Sequence, residues 1–590
     1  MQYLDGAAMQ NALKNGVQQV IASQDGLNKI NVFPVADGDT GTNMALTVGA
    51  MGGVLTKEPP PLDKLLAHAA DALLDGARGN SGAILAQFFQ GVSDTAAELT
   101  RFTTESFANA VTAGSQYARD ALSEPREGTI LSVIDAFADA LTRHAKLDDF
   151  GSLISHGLSA AETALAATKN QLAELRKADV VDAGAKGFVA MIHGMLAYVR
   201  DGEVVEKLDL PEDIDSSVMA GEEVDLDYRY CTECIVVGDN IDRRKLREAL
   251  GQMGGSLVLA GSHSKAKIHI HVNEPEAVFR LARDFGTVKG EKADDMHRQQ
   301  HTTHGDNPRV AVITDSCADL TEEEMDQLDI NFVPLRVQFG EQGYLDKLSI
   351  SPDEFFDELA TNPIHPTTSQ PSPGDYRRQY QFLASHFRNV LAITLSGHVS
   401  GTYVGAVSAA ERVSAGGDIH VIDSRNGTLG QGLVVREAAE MAARDMSIDE
   451  IKSELTKVIA DARTYALVSD FKYAVRGGRV PPARKALADL LNLNGVLQTL
   501  PSGEVKAKGV IFGRRNRVKK FAKYIAKRLD LSRPVRLAIG HGRAAEDAAA
   551  LAEALNALIP NVVDCYVTEV CAAFGVHGGP GMLVVGTLER

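Results

Sequence analysis

Two carboxylates one residue apart, Asp37 and Asp39, stand among glycines and hydroxyls in the run NVFPVADGDTGTNM from Asn31 to Met44. Carboxylate oxygens are hard ligands of the kind Mg²⁺ takes, and Gly38 and Gly41 let the backbone turn tightly enough for both to face one point. Thr40, Thr42 and Asn43 add polar contacts, and the MALTVGAMGGVL stretch that follows reads as a helix start whose free N–H groups favour an anion. This is chemistry for holding a metal ion against phosphates. Taken alone, DGDTG serves equally as a solvated turn with an Asp helix cap, and the chain has no GxxxxGKS/T phosphate loop.

Three further loops set glycine beside polar residues: GARGNSGA (Gly76–Ala83), EPREGTIL (Glu124–Leu131) and VDAGAKGF (Val181–Phe188). Asn80, Ser81 and Gly82 offer hydroxyl and backbone N–H donors to phosphate oxygens, and Gly128 with Thr129, or Asp182 with Gly184, line the rest of a nucleotide. A second kind of chemistry lies in KIHIHV, where His269 and His271 are two apart on a strand and share a face. Cys231 in YCTEC completes a Cys–His–His zinc set with an open fourth position. A half-buried strand with hydrogen-bonded histidines is the alternative. Cys234, three residues from Cys231, faces the opposite way and reads as core.

Ser-, Thr- and Gly-rich strand ends recur in VITDSCADLT (Val312–Thr321), PTTSQPSPGDY (Pro366–Tyr376), LSGHVSGTYVGA (Leu395–Ala406) and VIDSRNGTLGQG (Val421–Gly432). Such junctions cradle carboxylates or phosphates, although each alone is more often a turn. RGGRV (Arg476–Val480) and VHGGPGM (Val576–Met582) add cationic and hydrogen-bonding groups.

The elements that position these residues divide the 590-residue chain. Residues 1–200 are Ala- and Leu-rich with helical spacing and predict an all-α domain; 201–227 form an acidic linker; 228–308 predict a small α/β domain closed by the polar run EKADDMHRQQHTTHGDNP; 309–590 alternate apolar strands with amphipathic helices. INFVPLRVQFG reads as one such strand. The formal charge of −18 argues against nucleic acid, and the basic GRRNRVKKFAKYIAKR (Gly513–Arg528) reads as the solvated face of a local helix. Five irregularly spaced cysteines, no signal pattern and no apolar run near the roughly 20 residues a membrane helix needs lead to a cytoplasmic expectation.

The order NVFPVADGDTGTNM, GARGNSG, EGT, DAGAKG resembles the nucleotide-binding domain of dihydroxyacetone kinases and, more closely, the N-terminal domain of bacterial fatty acid kinases. That resemblance implies an antiparallel helical barrel binding ATP and Mg²⁺, with Asp37 and Asp39 as ligands and Asn31 in place of the family's upstream carboxylate. YCTEC, GSLVLAG and KIHIHVNEP resemble the fatty acid kinase middle domain, which implies catalytic importance and Zn²⁺ binding for Cys231, His269 and His271, with His263 a candidate fourth ligand. Arg309–Arg590 resembles the DegV family of fatty-acid-binding proteins, a two-lobed α/β fold. The matching carboxylate contacts are Thr367 or Thr368, Ser396 and His577, with Arg479 as a cation near the head group. The usual SSxLSGTY reads SGHVSGTY here, so Gly397 replaces one hydroxyl.

These resemblances together imply a kinase that phosphorylates the carboxylate of a long-chain fatty acid at the expense of ATP. Transient membrane-surface contact and a homodimer through the kinase domain are further expectations. The alternatives are a lipid carrier that only senses ATP and a kinase for a small hydroxylated ligand.

Overall fold

The computed structural model describes residues 1–33, 40–55, 58–122, 125–210, 227–262, 264–304, 309–413, 417–468, 470–476, 493–513 and 515–590. Two compact units divide the chain: Met1–Glu274 with Val278–Met296, and Pro275–Ala277 with His297–Arg590.

In the first unit, apolar residues at helical spacing build α1 (Gly6–Asn28), α2 (Thr40–Gly49), α3 (Gly52–Leu55), α4 (Leu62–Gly76), α5 (Gly79–Thr95), α6 (Thr104–Asp120), α7 (Ile130–His144), α8 (Phe150–Gln171), α9 (Ala173–Ala178) and α10 (Ala183–Asp201). In α4, for example, Leu62, Leu65, Leu66, Ala69, Ala70, Leu73 and Leu74 make one buried stripe. The contacts run α1 to α4, on through α5, α6, α7, α8 and α10, and back to α1, so the helices close a ring. Phe88, Phe89, Phe137 and Phe188 meet edge to face in its core. One departure from the all-helical expectation is a two-residue ribbon, β1 (Leu4–Asp5) against β2 (Arg101–Phe102), too short to show a period-two pattern.

The same unit holds a four-stranded antiparallel sheet of order β4-β5-β3-β6, from β3 (Tyr230–Val237), β4 (Gly255–Gly261), β5 (Lys265–Val272) and β6 (Thr287–Asp295). Helices α11 (Arg243–Leu250) and α12 (Pro275–Arg283) share a core with one face, among Cys234, Val236, Leu246, Ile268, Ile270 and Phe279. The run expected as a polar linker is structured: Glu291–Asp295 end β6, and α13 spans Met296–His304. Its polarity belongs to the sheet's other face, where Lys292 pairs with Glu233 and Asp294 with Cys231.

In the second unit, β7 (Val310–Asp315), β8 (Ile330–Val333), β12 (Asn389–Thr394) and β13 (Asp418–Asp423) form a parallel sheet of order β13-β12-β7-β8. A small antiparallel sheet joins β9 (Arg336–Phe339), β10 (Gln342–Leu345) and β11 (Thr367–Ser369). INFVPLRVQFG is therefore two strands, broken beside Pro334, which has no N–H for a ladder. The second lobe carries β14 (Arg463–Val468), β15 (Leu493–Thr499), β16 (Val505–Phe512), β17 (Val535–His541), β18 (Val562–Glu569) and β19 (Leu583–Glu589), in the order β16-β15-β14-β19-β17-β18. Only β17 and β18 run parallel among these neighbours. The basic segment is a helix at Arg517–Ala526 whose Val518, Phe521, Ala522 and Ile525 are buried, leaving its lysines outward as the sequence indicated. No described helix is long and apolar enough to cross a membrane.

Candidate functional site

Of the residues singled out in the sequence, Asp37, Asp39, His263 and Arg479 lie outside the described residues. The described residues on either side of the first two are knit together by short polar contacts. Thr40 Oγ1 donates to Asn31 Oδ1 at 2.6 Å, which ties the start of α2 to the residues that follow α1. Thr42 faces α1, its N–H donating to Asn28 Oδ1 at 3.0 Å and its hydroxyl accepting from Asn28 and Gln24.

Four helix N-termini are joined in series. Asn43 of α2 lies against Gly79 of α5: a Cβ on Gly79 would be 3.0 Å from Asn43 Nδ2, and the glycine's φ of +59° favours a residue without one. Thr47 of α2 is buried, accepts from the Arg78 N–H at 3.1 Å and leaves no room for a Cβ on Gly82. Ser81 of α5 meets Gly184 of α10, where a Cβ would stand 2.6 Å from Ser81 Oγ. Asp182 caps α10 by accepting from the Ala185 N–H at 2.7 Å, and its carboxylate lies near enough to the Ile130 N–H at the start of α7 to be stabilised by it. Thr129 caps α7, beside Gly128 with φ +85°.

The starts of α2, α5, α7 and α10 are thus neighbours, and α5 has no side-chain cap on its own N–H groups. Such a set concentrates partial positive charge and donors for a polyanion. Burial pushes the Asp182 carboxyl up to about 6, against the pull of the Ala185 and Ile130 N–H groups. Thr42 and Asp182 therefore brace the loops, while Asn80 is exposed and Ser81 half-buried at the first turn of α5.

The second cluster lies on the polar face of the middle sheet. Cys231 pairs with His271 across β3 and β5, Glu233 pairs with His269, and the ligand atoms of Cys231, His269 and His271 all lie within 4.8 Å of one another. Cys231 Sγ is 3.9 Å from His269 Nδ1, and Glu233 Oε1 is 3.0 Å from the same nitrogen. Burial pushes the Cys231 thiol up, with His269 opposing. Burial alone would lower His269, but Cys231 and Glu233 beside it hold it well above the usual range. Glu233 is held well below the carboxylate range because Lys292, His269 and Lys267 outweigh its burial.

A soft thiolate and two imidazoles gathered on one half-buried face of the sheet fit zinc, and Glu233 orients a ligand ring as carboxylates do at metal-bound histidines. Sequence reading missed Glu233, although its position two residues from Cys231 on a strand was the available signal. Cys234 lies in the core on the opposite face, as expected.

In the second unit, Thr368 Oγ1 and His577 Nε2 are 3.3 Å apart. The helix Ala572–Gly578 that carries His577 is fixed at its start: Cys571 N–H donates to Asp319 Oδ1 and Ala572 N–H to Asp346 Oδ1, both at 2.9 Å, with Lys347 3.3 Å from Asp319. Burial pushes Asp319 up to about 6. Thr367 is exposed beside Thr368 on β11. Ser396 is buried, donates to Gly503 O at 2.9 Å and accepts weakly from the His398 N–H, so its hydroxyl ties its loop to the turn between β15 and β16; Gly397 N–H bonds Asp423 at 3.2 Å.

Comparison with protein families matches residues 34–197 to the DAK2 domain, 227–303 to the middle domain of fatty-acid-kinase-like proteins, and 309–590 to "Uncharacterised protein, DegV family". The chain is a fusion of these three domains. Protein YloV of Bacillus subtilis is 35% identical over 316 residues, covering 51% of this chain and 57% of its own length. An uncharacterised protein of Staphylococcus saprophyticus is 35% identical over 315 residues, covering 50% and 56%. The chain thus spans little more than half the length of the curated relatives it matches. Two solved DegV proteins described as fatty acid binding, from Thermus thermophilus and Bacillus subtilis, are 30% and 29% identical, each covered completely by 48% of this chain at TM-score 0.44.

Proposed function

We propose that this protein transfers the γ-phosphoryl group of ATP to the carboxylate of a fatty acid held in its DegV half, giving an acyl phosphate. The observation that carries this reading is the presence of a DAK2 domain, a fatty acid kinase middle domain and a DegV domain in one chain. A fatty acid carboxyl has a pKa like that of Glu, about 4.3, so at neutral pH it is already a nucleophile and needs no strong general base. Catalysis then reduces to placing two anions together and neutralising their charge.

The starts of α2, α5, α7 and α10 supply fixed N–H donors for the phosphates, with Asn80, Ser81 and Gly82 nearest the open turn of α5, and Asn43, Gly128, Thr129 and Gly184 lining the rest. Asp37 and Asp39, with Asn31, would hold magnesium, which would supply charge neutralisation at the phosphates. Zinc suits Cys231, His269 and His271. Thr368 and His577 aim the carboxylate, with Thr367, Ser396 and Arg479 around it. Carrying both halves on one chain replaces a bimolecular encounter by a high effective concentration.

The test is Asp39→Ala. It should abolish phosphoryl transfer and leave fatty acid affinity unchanged, and loss of both together would refute the division of labour between the halves.

A further inference from the structure

One face of one strand joins the two clusters of the first unit. Residues 265, 267, 269 and 271 of β5 alternate with the buried Ala266, Ile268 and Ile270 and so share a face. His269 and His271 belong to the Cys–His–His set. Lys267, two residues earlier, donates from Nζ to Ala77 O at 2.6 Å, and Lys265 pairs with Asp75. Ala77 precedes Arg78, the residue at the start of α5, whose first turn carries Asn80 and Ser81. Glu233 attracts Lys267 as well as bonding His269.

The neighbouring strand β4, which pairs with β5, is held against the helices. Leu259 N–H donates to Ala121 O at 3.2 Å, Gln87 Nε2 donates to Gly261 O at 3.3 Å, Arg243 bonds Gln87 and stacks over Tyr117, and Ala260 lies in the helical core. Lys267 is thus the contact through which a shift of β5 on filling or emptying the metal set would reach the α4–α5 loop.

We infer that Lys267 is a positioning residue that couples occupancy of the Cys231–His269–His271 set to the affinity of the α5 N-terminus for a nucleotide phosphate. This rests on the functional reading above, and it adds that the metal acts on nucleotide binding through a lysine that touches neither. Zinc should tighten Mg·ATP binding and, because coupling is reciprocal, Mg·ATP should tighten zinc binding by the same factor, about tenfold in the range typical of linked sites.

The experiment uses the full-length protein with zinc loaded or stripped, titrating Mg·ATP calorimetrically and measuring zinc affinity, with and without Mg·ATP, by equilibrium competition with a chelating dye. Lys267→Met should retain zinc and retain ATP binding but bring the coupling factor close to one; Lys267→Arg, which can still reach Ala77 O, should restore part of it. Lys265→Met on the same face tests for general damage and should keep the factor. Equal coupling in wild type and Lys267→Met, or no effect of zinc on ATP affinity in the wild type, overturns the inference. If the wild type binds no ATP in either state, the kinase reading itself fails, an outcome distinct from loss of coupling alone.

Discussion

Replacing Gly184 by Ala tests the convergence of the helix N-termini. The added methyl carbon would lie 2.6 Å from Ser81 Oγ, about 0.8 Å inside ordinary van der Waals contact, at the junction of α5 and α10. Relief requires either turning the Ser81 hydroxyl out of its present rotamer in the first turn of α5 or moving the start of α10, which Asp182 caps. Overpacking of this kind costs roughly 1–3 kcal/mol. If half of that falls on the geometry that binds phosphate, Mg·ATP affinity drops roughly two- to twelvefold, at ~1.4 kcal/mol per decade. Ser81→Gly removes the clashing hydroxymethyl, so the double variant Ser81→Gly/Gly184→Ala should bind ATP better than Gly184→Ala alone, although Ser81→Gly by itself should bind less well than wild type. Calorimetric titration with Mg·ATP on the four proteins gives the cycle. Wild-type affinity in Gly184→Ala, or strictly additive losses in the double variant, would show that the two loops do not meet at the phosphates.

Three further outcomes follow from the same geometry. Cys231→Ser should lower zinc affinity by at least tenfold in competition with a chelating dye, and wild-type affinity should fall as pH drops because the thiol, pushed up by burial, must lose its proton to ligate. Asp182, pushed up to about 6, gains its proton in the folded protein before it would in the unfolded chain; its contribution to stability is fully present below about pH 4 and is lost as pH rises through 6, by roughly 3 kcal/mol. The melting temperature of Asp182→Asn, measured relative to wild type, should therefore rise between pH 5 and pH 7.5, and a constant difference would contradict this assignment. Thr368→Val should weaken fatty acid binding about tenfold, through loss of a hydroxyl beside His577, with nucleotide affinity unchanged.

Much of this arrangement was legible in the sequence because it is periodic. Leu62 to Leu74 repeat at helical spacing, and KIHIHV alternates so strictly that His269 and His271 had to share a face and Cys234 had to turn from Cys231. The glycine loops could be recognised, but not the order in which they meet: Asn43 against Gly79 and Ser81 against Gly184 are tertiary contacts without a local signature. That Asp182 caps α10 and Thr42 bonds α1 had no local signature either, because a carboxylate or hydroxyl beside glycine reads alike whether it faces a nucleotide or braces a neighbouring helix. The polar residues of β6 passed for a linker because their partners, Glu233 and Cys231, lie about 60 positions earlier. Pro334 was the visible warning that INFVPLRVQFG would break.

The measurement that bears most directly on the function is ADP release by the full-length protein with Mg·ATP, with and without a long-chain fatty acid, with the product trapped by hydroxylamine. The account predicts fatty-acid-dependent ADP and acyl hydroxamate in equal amounts. Fatty acid binding with neither product would contradict it and leave a lipid carrier.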